Sequence, residues 1–129
     1  GKNRDQVLHE LAAVHYRFDQ TVPLETCLKA LKEREELGST AIGCGLAIPH
    51  ARLTELKSFS LVLGLHEEGI DFQAFDDEPV RIFAMLLGPA SEDDLYVHLL
   101  GRTSRFLRDN RDKLLELSPE EIYQLTLDY

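Results

Sequence analysis

The chain has 129 residues, with 43% hydrophobic and 29% charged side chains, which fits one domain with one core. Its formal net charge of −9 argues against a nucleic-acid-binding face and an anionic membrane surface, since both require clustered basic residues. No apolar run reaches the ~18 residues of a membrane span, and no secretory signal is present. We therefore expect a cytoplasmic protein with no direct membrane insertion and no nucleic-acid partner.

Two amphipathic helices are predicted at the start of the chain. Apolar residues at spacings of three and four predict the first helix from Arg4 to about His15. A second helix follows Pro23, because proline is favoured in the first helical turn, and it ends near 37–38. The chain thus begins almost directly at a helix.

Extended segments dominate the middle of the chain. The stretch 38–50 has three glycines and no helical period, so it predicts short extended pieces. Alternating apolar residues predict a strand over 58–66, and "VRIFAMLL" predicts a mostly buried strand over 80–87. Turn chemistry at Asp76 and Asp77 separates these two strands.

Further helices are predicted towards the C-terminal end. Ser91 begins one, with Asp94 as a capping partner, and a second covers Arg111 to Leu117. The helix that begins at Ser91 has Leu95, Leu99, Thr103 and Phe106 at the helical period, which predicts its buried stripe. "SPEEIYQL" predicts a last helix with Ser118 as N-cap. Together the elements predict an α/β fold, with a mixed, mostly parallel sheet of about four to five strands flanked by helices on both faces.

His50 ends the run "GCGLAIPH" and is the leading candidate for chemistry. Pro49 stiffens the chain just before it, and Gly43 and Gly45 permit backbone conformations that other residues resist. Strand ends in α/β sheets are common ligand sites. The residues alone leave a packed structural histidine, a pH switch, a ligand and a nucleophile as alternatives. The two cysteines have no zinc spacing, and we expect neither a metal nor a cofactor.

The segment "REELGSTAIGCGLAIPHARL", 34–53, resembles the signature of the IIA domain of the bacterial phosphoenolpyruvate-dependent sugar phosphotransferase system. The type is mannitol/fructose, which includes the nitrogen-regulatory branch. The segment matches the pattern R-E-x-x-G-S-T-G-I-G-x-G-I-A-I-P-H without gaps, with Ala41 and Leu46 as departures. This resemblance implies a single IIA-like phosphocarrier domain over 1–129 that lacks the family's N-terminal strand.

The resemblance also implies a role for each site residue. His50 would accept a phosphoryl group from a histidine-containing phosphocarrier protein and pass it to a IIB domain, or keep it as a regulatory mark. Arg34 would stabilise the phosphoryl oxygens through its guanidinium, although a surface charge paired with Glu33 or Glu36 is the alternative. Backbone N–H groups around Gly43 and Gly45 are candidate donors to the same oxygens.

The chain departs from the family at the position of its second histidine. That histidine should stand seven residues after Pro89, where this sequence has Tyr96. His98 is the alternative, but two residues turn a helix by ~200°, so we predict that Tyr96 faces His50 and His98 faces away. A tyrosine hydroxyl donates a hydrogen bond but carries no positive charge.

The departure favours a second hypothesis from a different class. It is a regulatory or interaction module of the same fold with weak or no phosphotransfer, including a domain excised from a larger transporter or regulator. A third hypothesis, a small hydrolase that uses His50, has little support, and Cys44 beside it lacks a third orienting group. The sequence does not indicate a sugar, because specificity in this system resides in the partners.

Overall fold

Two helices at the start of the chain pack against one face of a β-sheet in the computed structural model, which describes residues 3–116 and 122–125. Helix α1 spans Arg4–Phe18 and α2 spans Leu24–Leu37, so both predicted helices are confirmed. Asn3 and Gln6 form a reciprocal capping box at the start of α1, which satisfies two backbone donors there. Helix α1 continues past the predicted end at His15 to Phe18.

Six strands form the sheet within the described residues. They are β1 (Ala41–Gly43), β2 (Leu46–Ala47), β3 (His50–Leu53), β4 (Ser60–Ile70), β5 (Val80–Pro89) and β6 (Ile122–Leu125). Strands β2 and β3 follow each other along one side of β5, and both run parallel to it. Strand β4 lies on the other side of β5 and pairs antiparallel with both β5 and β6.

The predicted α/β class with a mixed sheet is confirmed, with two differences in detail. The described sheet has six strands rather than four or five, and two of its five described pairings are parallel, a smaller share than predicted. The reason is the length of the connections. The segment 71–79 between β4 and β5 and the turn between β1 and β2 are too short for a parallel crossover, so each joins antiparallel neighbours.

The sheet carries a hydrophobic core on each face, so the prediction of helices on both faces is confirmed. On the first face, α1 and α2 cover side chains of β5 such as Phe83, Met85 and Leu87. Neighbouring side chains of β5 point to the opposite face because the side-chain period of a strand is two residues. There they pack under a third helix, together with the predicted alternating residues Leu61, Leu63 and Leu65 of β4.

The third helix, α3, spans Asp93–Leu115 without interruption, so the two helices predicted from Ser91 and Arg111 are one. It begins two residues after Ser91, because the Glu92 N–H bonds the Pro89 carbonyl in a turn that links β5 to α3. No proline lies inside it to end the helix before Arg111. Phe106 was predicted to be buried but is 44% exposed, and Leu107 takes its place in the core.

The helix predicted from Ser118 is wrong over 122–125, which form β6, while 118–121 lie outside the described residues. Strand β6 pairs with β4 from Leu61 to Gly64. Backbone pairing along that side of β4 outweighs the local capping signal, and the isoleucine and tyrosine of β6 favour extended backbone. Among the described residues, no helix is long and apolar enough to cross a membrane.

Candidate functional site

His50 is the first residue of β3, not the last residue of a strand as the sequence predicts. Pro49 separates β2 from β3, and its carbonyl accepts a 2.9 Å hydrogen bond from the Leu86 N–H of β5. Because proline has no N–H of its own, the chain loses a ladder donor there, although β2 and β3 keep one register along β5. The half-buried imidazole therefore emerges where two short strands meet on one neighbour.

A surface cavity of ≈ 940 Å³ surrounds the imidazole. Helix α2, strand β3 and the start of α3 line it, with Arg34, Leu37, His50, Arg52, Asp93 and Tyr96 among its residues. Three residues that the sequence singles out for the site, Arg34, His50 and Tyr96, thus meet around one space. They lie far apart in the chain, and the pairing of β3 with β5 brings them together.

Two hydrogen bonds define the proton on His50. Its Nδ1 lies 2.7 Å from the Ile48 carbonyl oxygen, and the Nε of Arg34 donates to its Nε2 at 3.3 Å. A carbonyl oxygen only accepts and a guanidinium only donates, so Nδ1 carries the proton and Nε2 keeps its lone pair. Burial lowers the pKa of His50, and the charges of Arg34 and Arg52 lower it further. The imidazole is therefore neutral near pH 7, and its unprotonated Nε2 accepts from Arg34, which lines the same cavity.

Arg34 is held in place by the end of its own helix. Its Nη1 donates a 2.9 Å hydrogen bond to the Gly38 carbonyl, one turn further on. The neighbouring Glu35 is only 3% exposed and accepts hydrogen bonds from the Thr40 N–H, at 3.1 Å, and from the Thr40 hydroxyl. Burial raises the pKa of Glu35, and the bonds from Thr40 oppose that shift. This closed turn aims the Arg34 side chain at His50.

Tyr96 faces His50, as the helical register predicts. It is 6% exposed, and its ring centroid lies 5.9 Å from that of His50 with the planes tilted by 60°. Burial raises the pKa of Tyr96 to about 12, so its hydroxyl stays protonated and is a donor at neutral pH. His98 is exposed on α3 and is not among the described residues that line the cavity, so it does not restore a histidine pair.

Arg52 is a site residue that the sequence analysis misses. It stands two residues after His50 on β3, so both side chains leave the same face of the strand. Its guanidinium carbon lies 5.4 Å from the Tyr96 ring centroid, and its Nη1 donates to the Asp93 carboxylate. The two-residue period identifies it, but only once the sequence after Pro49 is recognised as a strand.

Gly43 and Gly45 do not surround His50, which corrects their predicted role. They form the tight β1–β2 hairpin with φ values of 90° and 77°. The Cys44 N–H between them is already bonded to Asp76 at 3.0 Å. The hairpin meets β5 about four residues before the register position of His50, which is roughly 13 Å along a strand. The glycines serve the turn, and the exposed Cys44 thiol lies at the hairpin with them.

The fold and the site together define an α/β domain that presents a neutral, arginine-bonded histidine in an open cavity. The family model described as "Phosphoenolpyruvate-dependent sugar phosphotransferase system, EIIA 2" matches residues 1–128. The chain belongs to this family, and the resemblance seen in the sequence is confirmed.

Its relatives include both transport and regulatory proteins. It is 36% identical over 102 residues to the "PTS system fructose-specific EIIA component" of Haloferax volcanii, which covers 78% of this chain and 66% of that protein. It is 34% identical over 128 residues to the "Nitrogen regulatory protein" of Escherichia coli K12, covering 95% of this chain and 76% of that protein. The crystal structure of the nitrogen regulatory protein IIA-Ntr from Neisseria meningitidis superposes with a TM-score of 0.83 at 26% identity, covering 92% of this chain and 82% of that one.

Proposed function

We propose that this chain is a cytoplasmic phosphocarrier that accepts a phosphoryl group on Nε2 of His50. The donor is a histidine-containing phosphocarrier protein, and the acceptor is a IIB domain, unless the group is kept as a regulatory mark. The observation that carries the proposal is the pair of bonds on the imidazole. They place the proton on Nδ1, held by the Ile48 carbonyl, and leave Nε2 unprotonated, with its lone pair accepting a hydrogen bond from Arg34.

The transfer needs little more than positioning and charge. The Nε2 lone pair attacks phosphorus, and the donor's own nitrogen–phosphorus bond breaks with its electron pair returning to the donor. Arg34 then loses its acceptor on Nε2 and its guanidinium turns to the phosphoryl oxygens, for which its planar fork is suited. The Tyr96 hydroxyl is a second donor on the cavity wall.

The test is phosphorylation by the purified system. With phosphoenolpyruvate, enzyme I and the histidine carrier protein, the chain should gain the mass of one phosphoryl group and show a phosphohistidine signal by phosphorus NMR. His50→Ala should abolish the gain, since no other described histidine lines the cavity. His98→Ala is the matched control and should keep it, because His98 is exposed outside the cavity. Gain of phosphate by His50→Ala would move the acceptor elsewhere.

A regulatory module with weak or no transfer is the second candidate. Tyr96 favours it, because tyrosine at this position supplies no positive charge, and so do the nitrogen-regulatory relatives. A chase of the phosphorylated chain with IIB domains separates the two. Rapid loss of the phosphoryl group supports a carrier, whereas retention in the presence of IIB domains supports a regulatory mark.

A further inference from the structure

We infer that Arg52 is a second phosphoryl-binding residue of the His50 cavity, aimed by the ring of Tyr96 and held by Asp93 until the phosphoryl group arrives. The inference rests on the proposed function, because it names how the same site binds its cargo. It starts from the positions of the two arginines, which line the cavity from different elements.

The charge balance of the cavity calls for a second cation. A phosphoryl group brings about −1.5 to −2 charges at neutral pH. Glu33, Glu36 and Asp93 also line the cavity, so its wall is already rich in carboxylates. Arg34 supplies a single positive charge, and Tyr96, the aromatic neighbour of His50, supplies none. The arriving phosphoryl group therefore needs a further positive partner.

Arg52 is placed to be that partner. It shares a strand face with His50, and its guanidinium carbon stands 5.4 Å from the ring of Tyr96, which in turn lies 5.9 Å from the His50 ring. An aromatic face attracts and orients a guanidinium, so Tyr96 directs the charge even though it has none itself. The Tyr96 ring thus holds the positive charge of Arg52 near His50.

The bond to Asp93 suits a residue that changes partners. The side chains of Arg52 and Asp93 are 47% and 66% exposed, and exposed ion pairs of this kind are weak because water screens them. Asp93 is the first residue of α3, where water and the helix N-terminus stabilise its charge when Arg52 leaves. A phosphoryl dianion is the stronger acceptor, and a guanidinium can bind two of its oxygens.

In the transfer step all charges and bonds are accounted for. The Nε2 lone pair of His50 forms the new bond to phosphorus, and the bonding pair of the donor's nitrogen–phosphorus bond returns to the donor. The proton of His50 stays on Nδ1, against the Ile48 carbonyl, so the phosphorylated ring carries the positive charge that the donor's ring loses when its bonding pair returns. Arg34 and Arg52 then bind the phosphoryl oxygens, and Asp93 is released to water.

The first test uses inorganic phosphate and does not require a protein partner. Phosphate is titrated into the unphosphorylated chain while the imidazole resonances of His50 are followed by NMR. Arg52→Gln should weaken phosphate binding about tenfold or more, the range expected for a hydrogen bond to a charged group. Arg108→Gln removes an exposed arginine of α3 outside the cavity and should bind like the wild type. Equal affinities in wild type and Arg52→Gln, or no binding by the wild type, overturn the inference.

The second test asks whether Asp93 competes with phosphate for Arg52 or only forms a structural ion pair with it. The two roles predict opposite changes in phosphate affinity when Asp93 is replaced. Asp93→Asn frees Arg52 and should tighten phosphate binding about two- to fivefold. Asp94→Asn makes the same change of charge one residue further on, at an exposed side chain outside the cavity lining, and should have less than half that effect on a logarithmic scale. Weaker binding by Asp93→Asn, or equal tightening by both variants, overturns the role of Asp93.

The carrier reaction distinguishes this inference from the proposed function. If Arg52→Gln loses phosphate affinity but the wild type accepts no phosphoryl group from the carrier protein, the anion site is real and the proposed function is wrong. If the wild type is phosphorylated and Arg52→Gln is phosphorylated at the same rate, the proposed function stands and the role of Arg52 is wrong. Urea unfolding midpoints of all variants show whether any loss reflects folding instead.

Discussion

The reactivity of this site is decided at a single imidazole, by which nitrogen has the proton. The Ile48 carbonyl is contributed by the residue two positions before His50, so the tautomer is fixed by the local backbone. Arg34 reaches the other nitrogen from a different element. The orientation of His50 therefore depends on two independent supports, and a change to either should alter reactivity without unfolding the chain.

Arg34→Lys tests the second support. Lysine keeps the positive charge but loses the rigid fork that bonds both Nε2 of His50 and the Gly38 carbonyl. We expect the rate of phosphoryl transfer to fall about tenfold, which corresponds to the loss of one hydrogen bond to a charged group. Stopped-flow or quenched-flow transfer from the phosphorylated carrier protein measures the rate.

Lys32→Arg on the same helix is the matched control, because it exchanges the same two residue types in the opposite direction at a position outside the cavity. It should transfer at the wild-type rate. If Arg34→Lys also keeps that rate, Arg34 is a surface charge and not part of the reaction.

At the scale of elements, β5 packs closely against the segment before β4 because Gly88 has no side chain. A Cβ added at Gly88 would stand 2.4 Å from the Phe59 ring, so the backbone of β5 and this aromatic ring are in direct contact. In α3, a Cβ added at Gly101 would meet no described atom within 4 Å. Both glycines lie inside regular elements, but only Gly88 is required by its surroundings to lack a side chain.

Gly88→Ala and Gly101→Ala form a matched pair that tests this difference. Gly88→Ala should reduce the free energy of unfolding by about 1–3 kcal/mol, because the methyl group overpacks the contact with Phe59. Gly101→Ala should raise it by about 0.5–1 kcal/mol, since alanine lowers the entropy cost of the helix. Urea denaturation followed by circular dichroism gives both values. Equal shifts of the same sign would contradict the packing described for β5.

The elements that the sequence predicts well are those with long local periods. The apolar stripes of α1 and α2 and the alternating apolar residues of β4 each lie within one segment, so the sequence shows them directly and the structure buries them as predicted. Strand β3 and β6 are too short to carry a period and exist because longer strands pair with them. Local signals such as the N-cap at Ser118 are weak against such pairing.

The difference between local patterns and strand pairing also explains which site residues the sequence predicts. Arg34, His50 and Tyr96 are predicted from a motif and a residue count, and the structure brings all three to one cavity. Arg52 is missed because its facing direction depends on β3, and the glycine hairpin is misplaced because its distance from His50 depends on its register along β5. Such contacts depend on how strands that are distant in sequence pair, and no single segment of the sequence shows that pairing.

For the whole molecule, the lowered pKa values of two histidines, His15 and His50, make stability depend on pH. His15 is fully buried, with Nδ1 bonded to the Ser60 hydroxyl at 2.9 Å and Nε2 lacking a hydrogen-bond partner among the described residues. Burial lowers the pKa of His15, as it lowers the pKa of His50. Below the ordinary pKa of about 6.5, the unfolded chain therefore binds protons that the folded chain does not.

We expect the free energy of unfolding to fall as pH drops below about 6.5, by up to ~1.4 kcal/mol per pH unit for each histidine, until the folded-state pKa is reached. Urea denaturation at pH 7.5, 6.5 and 5.5 measures the slope. His15→Gln should make the slope shallower, since glutamine does not titrate. His9→Gln, at an exposed position on the same helix, should leave the slope unchanged. An equal slope in wild type and His15→Gln would show that this histidine does not contribute.

The parallel pairing of β3 with β5 also fixes an order of events during synthesis. His50 leaves the ribosome long before Leu86, its register partner, and before Tyr96, which closes the cavity. At about 5–20 residues per second, this interval lasts seconds. Throughout it, the nascent chain contains His50 without its strand partner Leu86 or its aromatic neighbour Tyr96. The cavity around His50 is therefore complete only after translation has passed the start of α3, which contributes Asp93 and Tyr96 to its lining.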